Sequence, residues 1–299
     1  MTKQLNFKPL KTFMAVAVLA TVMSCSNDQE EILETTDLSE IQEELVAENS
    51  SAARACSTTE LPYSGPGTDV NKNVNTIIDD RSCVYNYVQT KYGTTNTWGM
   101  YRLRANTSSD SRETRIERAS KVVRKVKSGN FIEITGTVRI ARAGEFPNET
   151  RPLGSMTNRD GTYFIQAKGK DTSGNGSPDP AICLFIAKPI EVDGKNYFNI
   201  YREEIKRRGG EGKGGRRLTY ITRVRENRDF FVKVKTGFET RNGKLRHYVN
   251  SSINGVFKSF TVPRPDQATQ AKLRMGAYRC KAGEAVILWR NVNAKIVDK

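Results

Sequence analysis

The chain has 299 residues, with 48 Lys and Arg against 33 Asp and Glu, so its formal net charge at pH 7 is +15. It has one histidine and no CxxC pair, which argues against a zinc site. A surplus of positive charge this large indicates a polyanionic partner, either nucleic acid or an acidic or sulfated polysaccharide.

Residues 1–25 are predicted to be a signal segment outside the fold. Lys3, Lys8 and Lys11 precede an apolar run over residues 13–23, which is too short to span a bilayer as a permanent helix. The small residues before Cys25 resemble a bacterial lipoprotein signal, in which Cys25 becomes the lipidated N-terminus; a plain secretory signal is the alternative. Both predict an exported protein, and we expect membrane contact only through the lipid anchor.

Residues 26–55 are expected to form a flexible tether. Nine acidic residues and no Lys or Arg lie in residues 26–50, a composition typical of a solvated segment. The acidic block after Cys25 also resembles the surface-export signal of Bacteroidetes lipoproteins, so we expect an outer-membrane, cell-surface or secreted protein. Without the three lysines and nine acids of residues 1–50, the rest of the chain has 45 basic and 24 acidic residues, a net charge of +21.

Residues 56–299 are predicted to form one domain, and they contain four cysteines. In an oxidising compartment Cys56, Cys83, Cys183 and Cys280 allow three pairings, among which the sequence cannot choose. We favour a disulfide between Cys56 and Cys83, because it closes a short loop near the start of the domain.

The pattern along this domain is that of strands. Residues 74–92 could hold one short helix, after which the helical period disappears and runs of β-branched and aromatic residues alternate with polar ones. The predicted strands are 97–104, 131–140, 160–170, 181–186, 196–203, 218–224, 230–236, 244–251, 255–261, 273–279 and 286–297. Many strands with almost no helix predict an all-β fold, a jelly-roll β-sandwich of two antiparallel sheets.

The strand over 160–170 has an unusual polar face. Strict alternation would put two sets of side chains on opposite faces, Thr162, Phe164, Gln166 and Lys168 against Tyr163, Ile165 and Ala167. The first face carries an amide and an amine, so it meets either water or a polar partner.

A cationic loop over residues 206–217 contains five glycines and six Lys or Arg residues. It lacks the Walker pattern and no predicted helix follows it, so it is not a nucleotide loop. It either contacts the anionic partner or is an exposed hairpin connection. Because the chain shows no frame of an RRM, OB or helix-turn-helix module, we expect no nucleic-acid partner.

Three segments resemble the signature strands of the family 7 alginate lyases, R-[ST]-E-L-R, Q-[IV]-H and Y-F-K-A-G-x-Y. The matching segments are residues 115–118, 166–168 and 272–279, in the same order, and the resemblance covers about residues 95–297. Ile116 replaces the hydroxyl residue, Lys168 stands at the histidine position, Arg274 at the lysine, and Lys272 at the first tyrosine. The chain is similar to polysaccharide lyase family 28, the ulvan lyases, because it has lysine in place of the histidine and is predicted to be a basic exported lipoprotein. This family shares the jelly roll.

The resemblance implies β-elimination at a uronate. A base removes the C5 proton once the neighbouring carboxylate is neutralised, and an acid protonates the departing O4. Lys168 would be the general base or part of the neutralising pair; as a base it must be mostly neutral, which needs a lowered pKa. Tyr278 would be the acid and could also be the base, while Gln166 and Arg115 would hold the carboxylate. No metal or organic cofactor is required.

Further cations are assigned to the substrate. Arg118, Lys272 and Arg274 are candidates for contacting sulfate or carboxylate groups. Glu117 is expected to orient Arg115 rather than to act as an acid.

One later strand supplies a second set of candidates. His247 shares a face with Leu245 and Val249, so packing is its expected role, but it remains the rival base. Arg246 and Tyr248 point the other way and could line the cleft as substrate-binding residues.

The leading interpretation is therefore an ulvan lyase with a concave cationic cleft, acting on an anionic sulfated polysaccharide as a monomer. The alternatives are an alginate lyase of the family 7 type and a non-catalytic lipoprotein that binds sulfated glycans. The preference for glucuronate or iduronate, and endo or exo action, stay open.

Overall fold

The computed structural model describes residues 59–81, 87–93, 95–104, 115–143, 162–170, 180–186, 190–205, 216–278 and 284–299. The predicted signal segment with Cys25, the acidic tether, Cys56 and Cys83 of the favoured disulfide, and residues 206–215 of the cationic loop lie outside these ranges. No helix within them is long and apolar enough to cross a membrane.

The described chain consists of sixteen strands and a 3₁₀ turn at Pro265–Gln267. The strands are β1 (Thr59–Pro62), β2 (Ile77–Asp80), β3 (Tyr87–Lys91), β4 (Thr97–Arg104), β5 (Arg115–Ala119), β6 (Phe131–Arg142), β7 (Thr162–Lys168), β8 (Pro180–Ile186), β9 (Ile190–Val192), β10 (Lys195–Ile205), β11 (Arg216–Arg225), β12 (Phe230–Arg241), β13 (Lys244–Ile253), β14 (Val256–Thr261), β15 (Lys272–Tyr278) and β16 (Glu284–Val297).

The strands form two antiparallel sheets. The nine-stranded sheet has the order β1-β2-β5-β15-β7-β8-β10-β11, with β9 paired to β10, and the seven-stranded sheet has the order β14-β13-β12-β6-β16-β4-β3. This arrangement confirms the predicted jelly-roll β-sandwich. The prediction of a short helix within residues 74–92 is wrong. The described part of this segment contains β2 and β3, because β2 pairs with β5 and β3 with β4, which satisfies their backbone groups.

The core lies between the sheets and follows the predicted alternation. On β6, Ile132, Ile134 and Ile140 are all buried against the facing sheet. Phe164 of β7 reaches across to Trp289, with ring centres 6.2 Å apart. Each such side chain contributes about 1.5–3 kcal/mol of burial free energy, and together these contacts fix the distance between the sheets.

Two predicted face assignments on β7, those of Tyr163 and Phe164, are wrong. Phe164 lies in the core with Ile165, whereas Tyr163 packs on the opposite face of the sheet. The pairing of β7 with β8 shifts register between Tyr163 and Ile165. This irregularity interrupts the two-residue alternation and turns Tyr163 to the face that carries Gln166.

Gly276 allows β15 to lie against β5. Its φ is +136°, a conformation that residues with a side chain rarely adopt. A Cβ at this position would come within 2.3 Å of the backbone oxygen of Ile116. Glycine therefore keeps β15 in continuous register with β5, from Arg274 opposite Ala119 to Tyr278 opposite Arg115.

Candidate active site

The three segments singled out in the sequence come together on one face of the nine-stranded sheet. We call it the site face, the face turned away from the seven-stranded sheet. It carries side chains from the adjacent strands β5, β15 and β7, namely Arg115 and Glu117, then Lys272, Arg274 and Tyr278, and finally Tyr163, Gln166 and Lys168. The register places Tyr278 opposite both Arg115 and Tyr163, Arg274 opposite Gln166, and Lys272 opposite Lys168.

Tyr278 is held between two neighbours. The guanidinium carbon of Arg115 lies 4.6 Å from the centre of its ring, and the ring stacks on Tyr163 with centres 5.6 Å apart and planes at 29°. The Tyr163 hydroxyl donates a hydrogen bond to Glu203 of β10. Tyr278 is 8% exposed, so its ring is fixed while its edge reaches the surface of the site face.

Two buried carboxylates lie beneath the cationic side chains. Glu117 accepts hydrogen bonds from the Gln166 amide and from Nη1 of Arg274, the latter at 3.2 Å. Asp79 of β2 accepts a 2.7 Å hydrogen bond from the same Arg274 nitrogen. Nη1 of Arg115 lies 4.0 Å from an oxygen of each carboxylate. The carboxylates therefore fix the positions of both guanidinium groups and of the Gln166 amide.

The charges in this network shift two pKa values. Burial alone would raise the pKa of Asp79, but its hydrogen bond to Arg274 and the charges of Arg274, Arg115 and Arg81 hold it below its ordinary value. Burial lowers the pKa of Lys272, and the positive charge of Arg274 adds to this effect. Asp79 is thus an ionised acid beneath the cationic side chains, and Lys272 among those side chains is biased toward its neutral form.

Lys168 lies at the end of β7, half-buried and directly across from Lys272. Gln166, one pleat repeat away, is fully buried, with its amide oriented by Glu117. The predicted base, acid and carboxylate-holding residues are therefore on three neighbouring strands of one sheet. Their roles remain predictions.

Arg118 is not on the site face, and its assignment to substrate binding is wrong. Its side chain is fully buried between the sheets, where it pairs with Asp69 and donates a 2.8 Å hydrogen bond to the Tyr101 hydroxyl. Its guanidinium carbon also lies 4.3 Å from the centre of the Tyr87 ring. The alternation of β5 could have shown this, because Arg118 shares the core-facing side with Ile116.

Arg246 and Tyr248 lie on β13 of the other sheet, so their assignment to the cleft is wrong. The alternation along β13 buries His247 and Val249 in the core, so Arg246 and Tyr248 lie on the outer face of that sheet. His247 is 1% exposed, with Nε2 2.8 Å from the Thr236 hydroxyl and its ring centre 5.6 Å from that of Phe238. This packing contradicts a role as the rival base and agrees with the expectation that His247 is packed.

Asp79, Tyr163 and Glu203 complete the site, and the sequence reasoning missed all three. Asp79 falls in the segment read as a possible helix, and Tyr163 was placed on the wrong face of β7. Glu203 lies on β10, a strand that was predicted over residues 196–203 and extends to Ile205. The signal available in the sequence was the two-residue alternation, which puts the acidic side chain of Glu203 on the same face of the strand as Tyr197 and Tyr201.

The chain was compared with known proteins. A family model of the PL28 ulvan lyases matches residues 39–298. An endo-acting ulvan lyase of Formosa agariphila is 38% identical over 263 residues, 84% of this chain and 49% of the relative. Ulvan lyase NLR42 of Nonlabens ulvanivorans is 32% identical over 269 residues, 84% of this chain and 48% of the relative. The chain thus spans about half the length of the curated relatives it matches.

Among solved structures, the PL7 alginate lyase AlyA1 from Zobellia galactanivorans has a TM-score of 0.48 and 13% identity. The match covers 71% of this chain and 81% of that one.

Proposed function

Because the chain belongs to the PL28 ulvan lyase family, we propose that it cleaves ulvan, a sulfated rhamnose–uronate polymer, by β-elimination at the uronate. The observation that carries the proposal is the pairing of Tyr278 with Arg115 on a sheet face that also holds Gln166 and Lys168. A proton donor, a fixed cation and a lysine amine that can act as base, all on neighbouring strands, supply the groups that the elimination needs.

The proposed reaction breaks the C5–H and C4–O4 bonds of the substrate and forms a C4–C5 double bond and an O4–H bond. Arg115, with the Gln166 amide, neutralises the uronate carboxylate and so makes the C5 proton more acidic. Lys168 removes that proton, and the electron pair of the C5–H bond forms the C4–C5 double bond. The C4–O4 bond then breaks, and the Tyr278 hydroxyl gives its proton to the departing O4.

The buried acids support these roles without touching the substrate. Glu117 holds the Gln166 amide and Arg274 at fixed positions, and Asp79 holds Arg274 from the other side. Such prior fixing of charged groups avoids reorganisation during the reaction, which is the main advantage of a preorganised site. Lys272 and Arg274 add positive charge for the sulfate or carboxylate groups of neighbouring sugars.

The proposal is tested by incubating the purified protein separately with ulvan, alginate and chondroitin and following the ultraviolet absorbance of the unsaturated uronate. We expect absorbance to rise with ulvan. A rise with alginate alone would reassign the chain to alginate cleavage. Retention of the protein in an ulvan-containing gel without any rise would leave only a glycan-binding role.

A further inference from the structure

A continuous track of aromatic side chains leads away from Tyr278 across the site face. Tyr201 of β10 and Leu218 of β11 pack against the cluster of Tyr163 and Tyr278. Tyr201 in turn meets Tyr220 of β11 edge to face, with ring centres 5.7 Å apart. The track therefore runs from the proposed proton donor to the last strand of the sheet.

Tyr220 is the exposed end of this track. It is 49% exposed, whereas Tyr163 and Tyr278 are 1% and 8% exposed. Four inter-strand steps separate β15 from β11, so Tyr220 lies ~19 Å from Tyr278 at the usual strand spacing. A large aromatic ring with half its surface in solvent, in line with the reacting groups, is available to a polymer that extends beyond them.

A fixed cation, Arg223, lies three residues after Tyr220 on β11. Nε of Arg223 donates a 3.2 Å hydrogen bond to Oδ1 of Asn199, and its guanidinium carbon lies 5.9 Å from the centre of the Tyr197 ring. Asn199 is 3% exposed and also hydrogen-bonds the Tyr201 side chain. One buried amide thus ties the arginine to the aromatic track.

Arg223 differs from Arg274 and Arg217 of the same sheet in its partners. Arg274 and Arg217 are paired with buried carboxylates at 2.7 and 2.5 Å. Within the described ranges, no carboxylate lies within ion-pairing distance of the Arg223 guanidinium, which is itself exposed. Among the described residues an amide orients its positive charge and no carboxylate neutralises it, which suits it to an anionic ligand.

We propose that Tyr220 and Arg223 form a distal subsite for a sulfated 6-deoxyhexose of the polymer. The methyl group and C–H face of such a sugar offer an apolar surface to Tyr220, while two oxygens of its tetrahedral sulfate can accept paired hydrogen bonds from the Arg223 guanidinium. This inference rests on the proposed function, because the subsite lies on the same face as the reacting groups and serves the same chain of sugars.

The test compares Tyr220→Ala and Arg223→Gln with two matched controls on the seven-stranded sheet. Phe257→Ala removes an aromatic ring that is 62% exposed, and Arg246→Gln removes one charge from the outer face of β13. Initial rates are measured on ulvan, on chemically desulfated ulvan and on the shortest oligosaccharide that the wild type cleaves. Affinity electrophoresis in ulvan gels measures binding without turnover.

We expect Tyr220→Ala to raise KM on ulvan roughly three- to tenfold with kcat and the rate on the shortest oligosaccharide unchanged. Arg223→Gln raises KM on ulvan about fivefold, the upper value for one exposed ion pair, and has no effect on desulfated ulvan. Both variants migrate faster than the wild type in ulvan gels, and the two controls behave as the wild type.

Three results would overturn the subsite. The first is that both variants have the same KM on ulvan as the controls. The second is that both variants lose as much activity on the shortest oligosaccharide as on ulvan. The third is an Arg223→Gln effect that persists on desulfated polymer, since the anion would then be the uronate carboxylate. If the wild type binds ulvan but never cleaves it, the proposed function fails, and the gel mobilities still decide the subsite.

Discussion

The guanidinium carbon of Arg115 lies 4.6 Å from the centre of the Tyr278 ring, and the two residues are directly paired across β5 and β15. A positive charge at this position stabilises the negative charge that develops on the tyrosine oxygen as it gives up its proton. The same cation can neutralise a uronate carboxylate lying beside the ring. In the proposed reaction, the pair would therefore link the activation of C5 to the protonation of O4.

Replacing Tyr278 by Phe tests the proton donor. The ring would keep its contacts with Arg115 and Tyr163, while the transferable proton is lost. We expect kcat on ulvan to fall by about 10²–10⁴-fold, with KM and the thermal midpoint nearly unchanged. Tyr248→Phe, on the outer face of the other sheet, is the matched control and should retain wild-type rates. A Tyr278→Phe variant with wild-type kcat would remove Tyr278 from the reaction.

The two roles predicted for Lys168 are separated by Lys168→Arg. A guanidinium keeps the positive charge but stays protonated at any working pH, so it cannot take up a proton. If Lys168 is the base, Lys168→Arg and Lys168→Ala both lower kcat by at least about 100-fold. Lys233→Arg, on the outer face of β12, serves as the control. Activity of Lys168→Arg within threefold of wild type would instead assign Lys168 to neutralising the carboxylate.

Asp79 should stabilise the fold in a pH-dependent way. Its pKa is held below the ordinary value by Arg274, Arg115 and Arg81 despite burial. Its contribution is therefore complete above the unfolded carboxyl pKa and is lost as the pH falls through the lower, folded value. Asp79→Asn leaves Arg274 incompletely paired and should lower the free energy of unfolding by about 3 kcal/mol at pH 7.

Urea denaturation at several pH values measures this effect. The difference between wild type and Asp79→Asn should shrink as the pH drops below about 4. The exposed Asp266, changed to Asn, should alter stability by less than about 0.5 kcal/mol at every pH. A difference that does not depend on pH would show that the ionisation of Asp79 is not coupled to folding.

Arg118 should be a determinant of stability and not of substrate affinity. Arg118→Met leaves the buried Asp69 carboxylate without its cation and should cost about 3–5 kcal/mol of unfolding free energy. Adding Asp69→Asn removes the uncompensated charge and should recover part of that loss. KM on ulvan of the folded variants should equal the wild-type value. Unchanged stability with a raised KM would return Arg118 to the substrate.

The strands that the sequence predicts well are those with a clean two-residue period. Residues 131–140 alternate apolar and polar side chains and form a strand with the expected isoleucines in the core. Residues 97–104 are also a strand, but only Leu103 of the expected residues joins that core, whereas Trp98 and Met100 pack in a separate cluster. The order of the three signature segments likewise predicted that Arg115, Gln166 and Tyr278 share one sheet, because the family resemblance carries information on strand pairing that local pattern lacks.

The errors have a common physical cause, which is that pairing between strands is decided by distant residues. The register shift beside Tyr163 depends on β8, so alternation within β7 could not show that Phe164 enters the core. Arg246 and Tyr248 alternate correctly with His247, but nothing in that pattern tells which of the two sheets their strand joins. Asp79 was missed because β2 is only four residues long and is fixed by pairing with β5.

The most direct test of the central claim is to digest ulvan and to examine the new uronate ends by mass spectrometry and ultraviolet absorbance. Elimination adds no water, so we predict unsaturated uronate ends that absorb in the ultraviolet and are lighter than a saturated uronate end by one water. Saturated uronate ends that do not absorb would show hydrolysis and would contradict the assignment of Lys168, Arg115 and Tyr278 to β-elimination.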